Sequence, residues 1–449
     1  MTTVPNLQVE PTLQLRLENL IPQIPLIRAK QHFGILKESR GPVVRITLEN
    51  ARIGDICNLV DPDSGHIIPA EIVAVHEKDA LLSPYGPAQG FSAKTRVIAT
   101  GQPLQIPVGE NLKGKILNAY GQALYGEPLN PNEYEHRSAR AESPNPVERP
   151  LIDTVFSTGI RAIDSLITMG EGQRIGIFGE PGAGKSVLLS MIAQHAKADV
   201  CVLALIGERG REVREFLDRQ LPPELRKNCV TVVSTSDRPS MERVIGAYTA
   251  TTIAEYFRDQ GKSVLLLMDS VTRYARALRE VGLAAGEAPA RKGFPASVLS
   301  EMPLLIERSG LTEKGSITAI YTVLLDADTL GDPVAEELRS LTDGHIILSY
   351  KTAQSGHYPA IDVLASKSRI MDEVVTKEQK NNANRIRELL SKYKEIELLV
   401  QVGEYQRGSD TEADTAIDKY PEINTFLRQQ TDEHPAYEET ISKMEKLLT

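Results

Sequence analysis

Arg174-Ile175-Gly176-Ile177-Phe178-Gly179-Glu180-Pro181-Gly182-Ala183-Gly184-Lys185-Ser186-Val187-Leu188-Leu189 is the stretch that decides the fold of this 449-residue chain. A short apolar run reads as a buried strand, a glycine-rich turn follows, and an apolar-periodic segment then opens a helix. The turn fits G-x-x-x-x-G-K-S, a phosphate cradle. Gly179, Gly182 and Gly184 let the backbone turn tightly, so that successive N–H groups and the helix N-terminus face an anion. On this reading the segment from Gly179 through Glu180, Pro181, Gly182, Ala183 and Gly184 to Val187 wraps a bound nucleotide. Lys185 reaches its β- and γ-phosphates and the Ser186 hydroxyl ligates Mg²⁺.

Working outward, Arg174 to Phe178, Val200 to Ile206, Val230 to Ser234, Val264 to Met268, Ile317 to Leu325 and His345 to Leu348 read as strands between longer helical patterns. That alternation implies an α/β fold with a largely parallel sheet covered on both faces. Upstream, Val44, Ile46 and Leu48 alternate with Arg45, Thr47 and Glu49, and turn signals such as Asp61-Pro62-Asp63-Ser64-Gly65 recur, as in a small β-barrel. Pro5, Pro11, Pro22 and Pro25 prevent a long helix near the start, which leaves a partner-binding tail or a frayed end. Residues from 101 to 150, rich in Gly, Pro and Asn, read as a connector. Past Asp372, Ile386, Leu389, Leu390, Tyr393 and Ile396 share one helical face, and Tyr420, Ile423, Phe426 and Leu427 another, as in a separate helical cap. The expected division is an arm over 1–30, a β-barrel over 31–100, the nucleotide domain over 101–371 and a helical domain over 372–449.

A net charge of -9 argues against a protein built to coat nucleic acid or an anionic membrane. Cys57, Cys201 and Cys229 lie far apart without a C-x-x-C pair, so neither a disulfide framework nor a zinc site is suggested, and a reducing compartment fits. No apolar run approaches the roughly 18 residues of a membrane span, and the start lacks a charged segment followed by an apolar one. A cytoplasmic protein is expected, working at a membrane only by docking on something else.

A phosphate cradle alone does not separate kinase, GTPase, helicase and ATPase. Val264-Leu265-Leu266-Leu267-Met268-Asp269 is an apolar strand ending in a carboxylate at the end where open α/β sheets bind ligands, so Asp269 is placed to hold the Mg²⁺ shell. Its alternative is a helix N-cap, since Ser270, Val271 and Thr272 follow. Leu205-Ile206-Gly207-Glu208-Arg209-Gly210-Arg211-Glu212 presents an acid in a dense charge run. That acid either orients and deprotonates an attacking water or belongs to a solvated helix start.

Gly207-Glu208-Arg209-Gly210-Arg211-Glu212, with Tyr256 to Lys262 ahead of Met268-Asp269-Ser270-Val271-Thr272-Arg273-Tyr274-Ala275, resembles the rotary-type ATPases. Within that group the chain looks most like the type III secretion ATPases, the export ATPases of flagella and injectisomes. Further matches run through Gly315 to Leu324, Asp343-Gly344-His345-Ile346, Tyr358-Pro359-Ala360-Ile361-Asp362, Ser366-Lys367-Ser368-Arg369 and Tyr405-Gln406-Arg407-Gly408. The resemblance is continuous from about residue 150 to 410 and leans to the injectisome through Arg279 to Glu287 and Asp362 to Ser366. It implies an N-terminal β-barrel, a RecA-like nucleotide domain, a C-terminal helical domain and a ring of six with each nucleotide at a subunit interface.

The resemblance also implies roles. Glu208 matches the catalytic acid that activates water, Arg209 and Glu212 its supporting residues, with Glu212 near the metal, and Asp269 the acid of the Mg²⁺ site. Arg369 matches the arginine finger that enters the neighbour's site; its alternative is a surface ion pair. Tyr358 matches the aromatic that packs on adenine; its alternative is a core aromatic beside Pro359. Gln406 stands where F-type catalytic subunits carry a second adenine-packing aromatic, which implies looser base selectivity. Ala288 breaks the usual Pro-Pro pair of a loop lining the ring's centre. The implied partners are a central stalk protein, chaperone–effector complexes, a stator-like regulator at the arm, and an export apparatus at the cytoplasmic face of the inner membrane. A flagellar enzyme, an F- or V-type subunit and a Rho-like RNA translocase are the alternatives. Glu208 disfavours a non-catalytic subunit, and the scattered barrel aromatics Phe33, Tyr85 and Phe91 disfavour the translocase.

Overall fold

The structure, a computed structural model, describes residues 33–87, 89–221, 223–325 and 331–448. The arm expected over 1–30, with the regulator assigned to it, lies outside them. Six strands, β1 (Phe33–Arg40), β2 (Val43–Thr47), β3 (Asp55–Val60), β4 (Ile67–His76), β5 (Asp79–Pro84) and β6 (Arg96–Pro103), close an antiparallel barrel in the order β1-β2-β5-β4-β3-β6. Val44 and Ile46 are fully buried inside it while Arg45 between them is exposed, so the period of two in the sequence is the inside and outside of the barrel. Buried Glu71 on β4 fastens the barrel to the next domain. It accepts from the Tyr85 hydroxyl at 2.9 Å and from Arg140 Nε at 3.0 Å, and Arg140 also donates to Glu301 at 3.0 Å. A buried carboxylate is tolerated because these charged and phenolic donors replace water.

The second domain is built on β7 (Ile116–Leu117), β8 (Arg174–Gly179), β9 (Val200–Ile206), β10 (Cys229–Ser234), β11 (Ser263–Asp269), β12 (Ser316–Leu324), β13 (Gly344–Leu348) and β14 (Lys367–Ser368). They lie side by side as β14-β13-β8-β12-β11-β9-β10-β7. Every pair from β13 to β7 is parallel, and β14 is an antiparallel edge. Each residue of β9 and β10 is buried, as continuous apolar runs between two helical layers must be. Gly179, Ile206 and Asp269 therefore end their strands at one edge of the sheet, where the connections to helices open a crevice. Cys57, Cys201 and Cys229 are buried, and none of them is in a disulfide.

The helices that matter for the site are α1 (Arg161–Leu166), α2 (Lys185–His195), α3 (Gly210–Glu215), α4 (Ser240–Asp259), α5 (Val271–Ala284), α6 (Ala296–Ile306) and α7 (Tyr350–Gln354), followed by α8 (Lys377–Gln401), α9 (Thr411–Leu427) and α10 (Tyr437–Leu448). Side chains cap α8 and α9: Thr376 accepts from Gln379 N at 3.2 Å, and Asp410 from Glu412 N at 2.9 Å. Ile386, Leu389 and Ile396 face inward, and Tyr393 stacks on Tyr420 with ring centroids 3.6 Å apart. The sequence suggests a separate cap here. Ile386, Leu389 and Phe426 belong to the same apolar core as Leu188 and Ile192 of α2, and the three helices of the cap pack on α1. No helix among the described residues is long and apolar enough to cross a membrane.

Candidate active site

The cradle sits where β8 passes into α2. Gly182 and Gly184 have φ of +87° and +86°, a region that L side chains rarely adopt. Gly184 is the N-cap of α2 and lends its first turn no side chain, which leaves those N–H groups for an anion. The loop opens on a cavity of about 580 Å³ lined by Glu180, Pro181, Gly182, Gly184, Lys185, Ser186 and Val187, together with Glu208 and Tyr358. That volume suits a nucleotide. Ala183 is buried beneath the loop.

Charge is concentrated on one wall. Lys185 Nζ lies 2.5 Å from Asp269 Oδ1 and 4.0 Å from Glu208 Oε1. Thr322 on β12 donates to Asp269 Oδ1 at 2.7 Å, which fixes the carboxylate at the end of its strand. Arg273 on α5 grips Glu208 with two parallel bonds, Nε to Oε1 and Nη2 to Oε2, both 3.0 Å. This fork–fork geometry holds both oxygens of the acid. A Cβ on Gly207 would lie 2.8 Å from Arg273 Cδ, and its φ of +70° also favours glycine, so the residue before the acid makes room for the arginine. Burial, then the nearby Asp269 charge, push the Glu208 carboxyl up to about 7, against the pull of Lys185 and Arg273. A buried acid poised there is matched to proton transfer near neutrality.

Ser186 and Asp269 also border a side cavity of about 120 Å³ with Glu208 and Glu212. Hydroxyl, carboxylate and phosphate oxygens together make the all-oxygen donor set that Mg²⁺ requires. Glu212 stands beside the acid, but its carboxylate is half exposed and pairs with Arg209 at 3.1 Å. Arg209 itself is solvent-exposed at the rim. Arg369 is elsewhere. Its N–H donates to Asp343 O, and Asp343 N–H donates to Arg174 O at the opening of β8, so Arg369 occupies the end of the sheet opposite the cradle. Six residues of strand separate the two ends, roughly 17 Å. The structure thus brings together every expected site residue except Arg369.

A model of the ATP synthase alpha/beta family nucleotide-binding domain matches residues 159–368, and a model of the T3SS EscN ATPase C-terminal domain matches residues 375–446. The Type 3 secretion system ATPase of Sinorhizobium fredii (strain NBRC 101917 / NGR234) is 47% identical, covering 93% of this chain and 92% of that one. The chain belongs to the type III secretion ATPase family. A flagellum-specific ATP synthase of Bacillus subtilis (strain 168) is 46% identical over 94% of each chain. The assembled ATPase EscN of enteropathogenic E. coli, solved in complex with its central stalk EscO, superposes with a TM-score of 0.85. It is 47% identical and covers 93% of this chain and 100% of that one.

As a type III secretion ATPase, the chain hydrolyses ATP, and two features of its site were not read from the sequence. Tyr350, first residue of α7, lies against the cradle: a Cβ on Gly182 would be 3.5 Å from its ring, just as one on Gly184 would be 3.4 Å from that of Tyr358. An exposed aromatic two residues past a strand's carboxyl end is the available signal. Thr322, a polar residue within the apolar run of β12, is the other. Both gain meaning only from the strand order, which sets β13 and β12 on either side of β8.

Proposed function

We propose that six copies of this ATPase form a ring in which the cradle of one copy binds ATP and Arg369 of the next completes the site. Turnover then releases and unfolds chaperone-bound effectors for type III export. The position of Arg369 carries this reading: an exposed guanidinium a sheet's length from its own cradle serves a neighbour's cradle or none. Lys185 and the N–H groups of the loop hold the phosphates, and Tyr358 packs on adenine. Glu208, oriented by Arg273, takes the proton of the attacking water, with Arg209 and Glu212 flanking it. Arg369 spreads the charge that grows on the transferring phosphoryl group. Ser186 and Asp269 would hold Mg²⁺, whose chemistry is to neutralise and orient the phosphate oxygens.

The assembly and stalk complex of EscN support a ring and a stalk partner here. Chaperone–effector cargo meets the helical domain, and the export apparatus places the ring at the cytoplasmic face of the inner membrane. Flagellar export is the second reading, favoured by the Bacillus relative, and a deletion strain scored for effector secretion and for motility separates the two. Subunit mixing tests the site. Arg369→Ala chains are expected to lose about 10³-fold or more in rate and Glu208→Gln chains about 10²–10⁴-fold. Mixed, they regain activity, because some interfaces then pair an intact Glu208 with an intact Arg369. Mixtures as inactive as their parents refute the shared site.

A further inference from the structure

Gln429 follows α9 in the helical domain and is buried. Its main-chain N–H and both ends of its side-chain amide are engaged. Its main-chain N–H donates to the Tyr358 carbonyl at 2.9 Å. Its Nε2 donates to the carbonyls of Gly159 and Glu433, both at 2.8 Å, and its Oε1 accepts from the Arg161 N–H at 2.8 Å. The last bond supplies a missing cap, since Ile160 at the N-cap of α1 has no side-chain acceptor. The two matched domains thus meet on one residue: Gly159 and Arg161, bonded to its side chain, and Tyr358, bonded to its main chain, lie in the nucleotide-binding match and Gln429 in the C-terminal one.

One of these contacts leads to the nucleotide site, and another to the far end of the cradle's helix. Tyr358 borders the cradle beside Gly184. Gly159 lies against His195 at the end of α2, so closely that a Cβ there would sit 2.6 Å from that of His195. His195 in turn stacks on His434 of the helical domain, with ring centroids 4.9 Å apart. Arg161 closes the joint from the other side. Its Nε donates to Phe426 O at 2.8 Å, its guanidinium reaches Arg428 O, and it pairs with Glu433 at 2.7 Å. With such a joint, the segment after α9 cannot shift without moving the Tyr358 carbonyl or breaking several buried bonds. Unpaired buried carbonyls are costly, so movement of Tyr358 is the cheaper response.

We propose that Gln429 is a positioning residue for Tyr358, through which the placement of the helical domain sets the affinity of the adenine end of the site. The coupling is reciprocal: a nucleotide that holds Tyr358 favours one placement of the helical domain, and a load on that domain alters nucleotide affinity by the same factor. The proposal rests on the reading that Tyr358 packs on adenine.

The test uses the full-length chain and two ligands, ADP and inorganic pyrophosphate, which shares the cradle but has no base. Gln429→Ala is expected to weaken ADP at least about five-fold, the lower end of what base–aromatic stacking contributes, with pyrophosphate affinity unchanged. KM for ATP rises by the same factor while kcat at saturation stays within about two-fold, as for lost uniform binding. Gln429→Glu, which keeps the acceptor for Arg161 but loses both donors, moves the same way and replaces the alanine variant should that one not fold. In a Tyr358→Ala background, Gln429→Ala adds no further loss of ADP affinity. Equal loss of ADP and pyrophosphate overturns the proposal, because it marks a merely structural residue. So does a full additive loss on top of Tyr358→Ala, or no loss from either Gln429 variant where Tyr358→Ala does weaken ADP. Tyr358→Ala binding ADP normally removes the adenine reading itself.

Discussion

Arg273→Ala removes the guanidinium that grips Glu208 through two bonds of 3.0 Å, and its effect is calculable from that geometry. Hydrogen bonds to a charged partner contribute about 1.5–3 kcal/mol each, so the pair contributes roughly 3–6 kcal/mol. Arg273 is 24% exposed, so water recovers part of this, and Lys185 remains 4.0 Å from the same carboxylate. Taking about half leaves 1.5–3 kcal/mol, or roughly one to two pH units. The sign follows from what Arg273 favours. It stabilises the carboxylate, so its loss raises a carboxyl already near 7 and moves the acid limb of kcat/KM upward, to about 8–9. At pH 7 the variant should retain about a fifth to a fiftieth of wild-type kcat/KM and recover most of the deficit by about pH 9. The assay is steady-state phosphate release across pH 6–10 on both proteins, so that titration of the ATP γ-phosphate cancels. A limb that stays put, or a loss equal at pH 7 and pH 9, refutes Glu208 as a base held by Arg273.

Two further expectations concern single side chains. Glu208→Gln should cost about 10²–10⁴ in kcat while the ADP dissociation constant, read by calorimetry, moves less than about two-fold; parallel loss of binding would make Glu208 a structural residue. Arg308 is fully buried and donates to Glu255 at 2.9 Å, to Ala139 O at 2.7 Å and to Thr252 at 3.0 Å. Arg308→Leu strands the Glu255 carboxylate and should cost about 3–5 kcal/mol in urea unfolding, much of it recovered by adding Glu255→Leu. A double variant no better than the single would show that the cost is shape, not charge.

The features legible in the amino-acid order alone are local. The cradle's glycines, the strand that feeds it and the acid that ends β11 are written in neighbouring residues, because turn chemistry and the periods of strand and helix act over a few positions. The barrel's alternation and the apolar faces of α8 and α9 are legible for the same reason. Glu208 stood in a charge run compatible with a solvated helix start, and only resemblance favoured catalysis. The tertiary structure supplied its partner: Arg273, 65 residues away, meets Glu208 because β9 and β11 are neighbours. Strand order is set by how whole layers pack, which no short window contains. The same packing laid Tyr350 against the cradle and bonded Gln429 to Tyr358, and neither residue carries a motif. It also put Arg369 at the end of the sheet opposite its own chain's cradle.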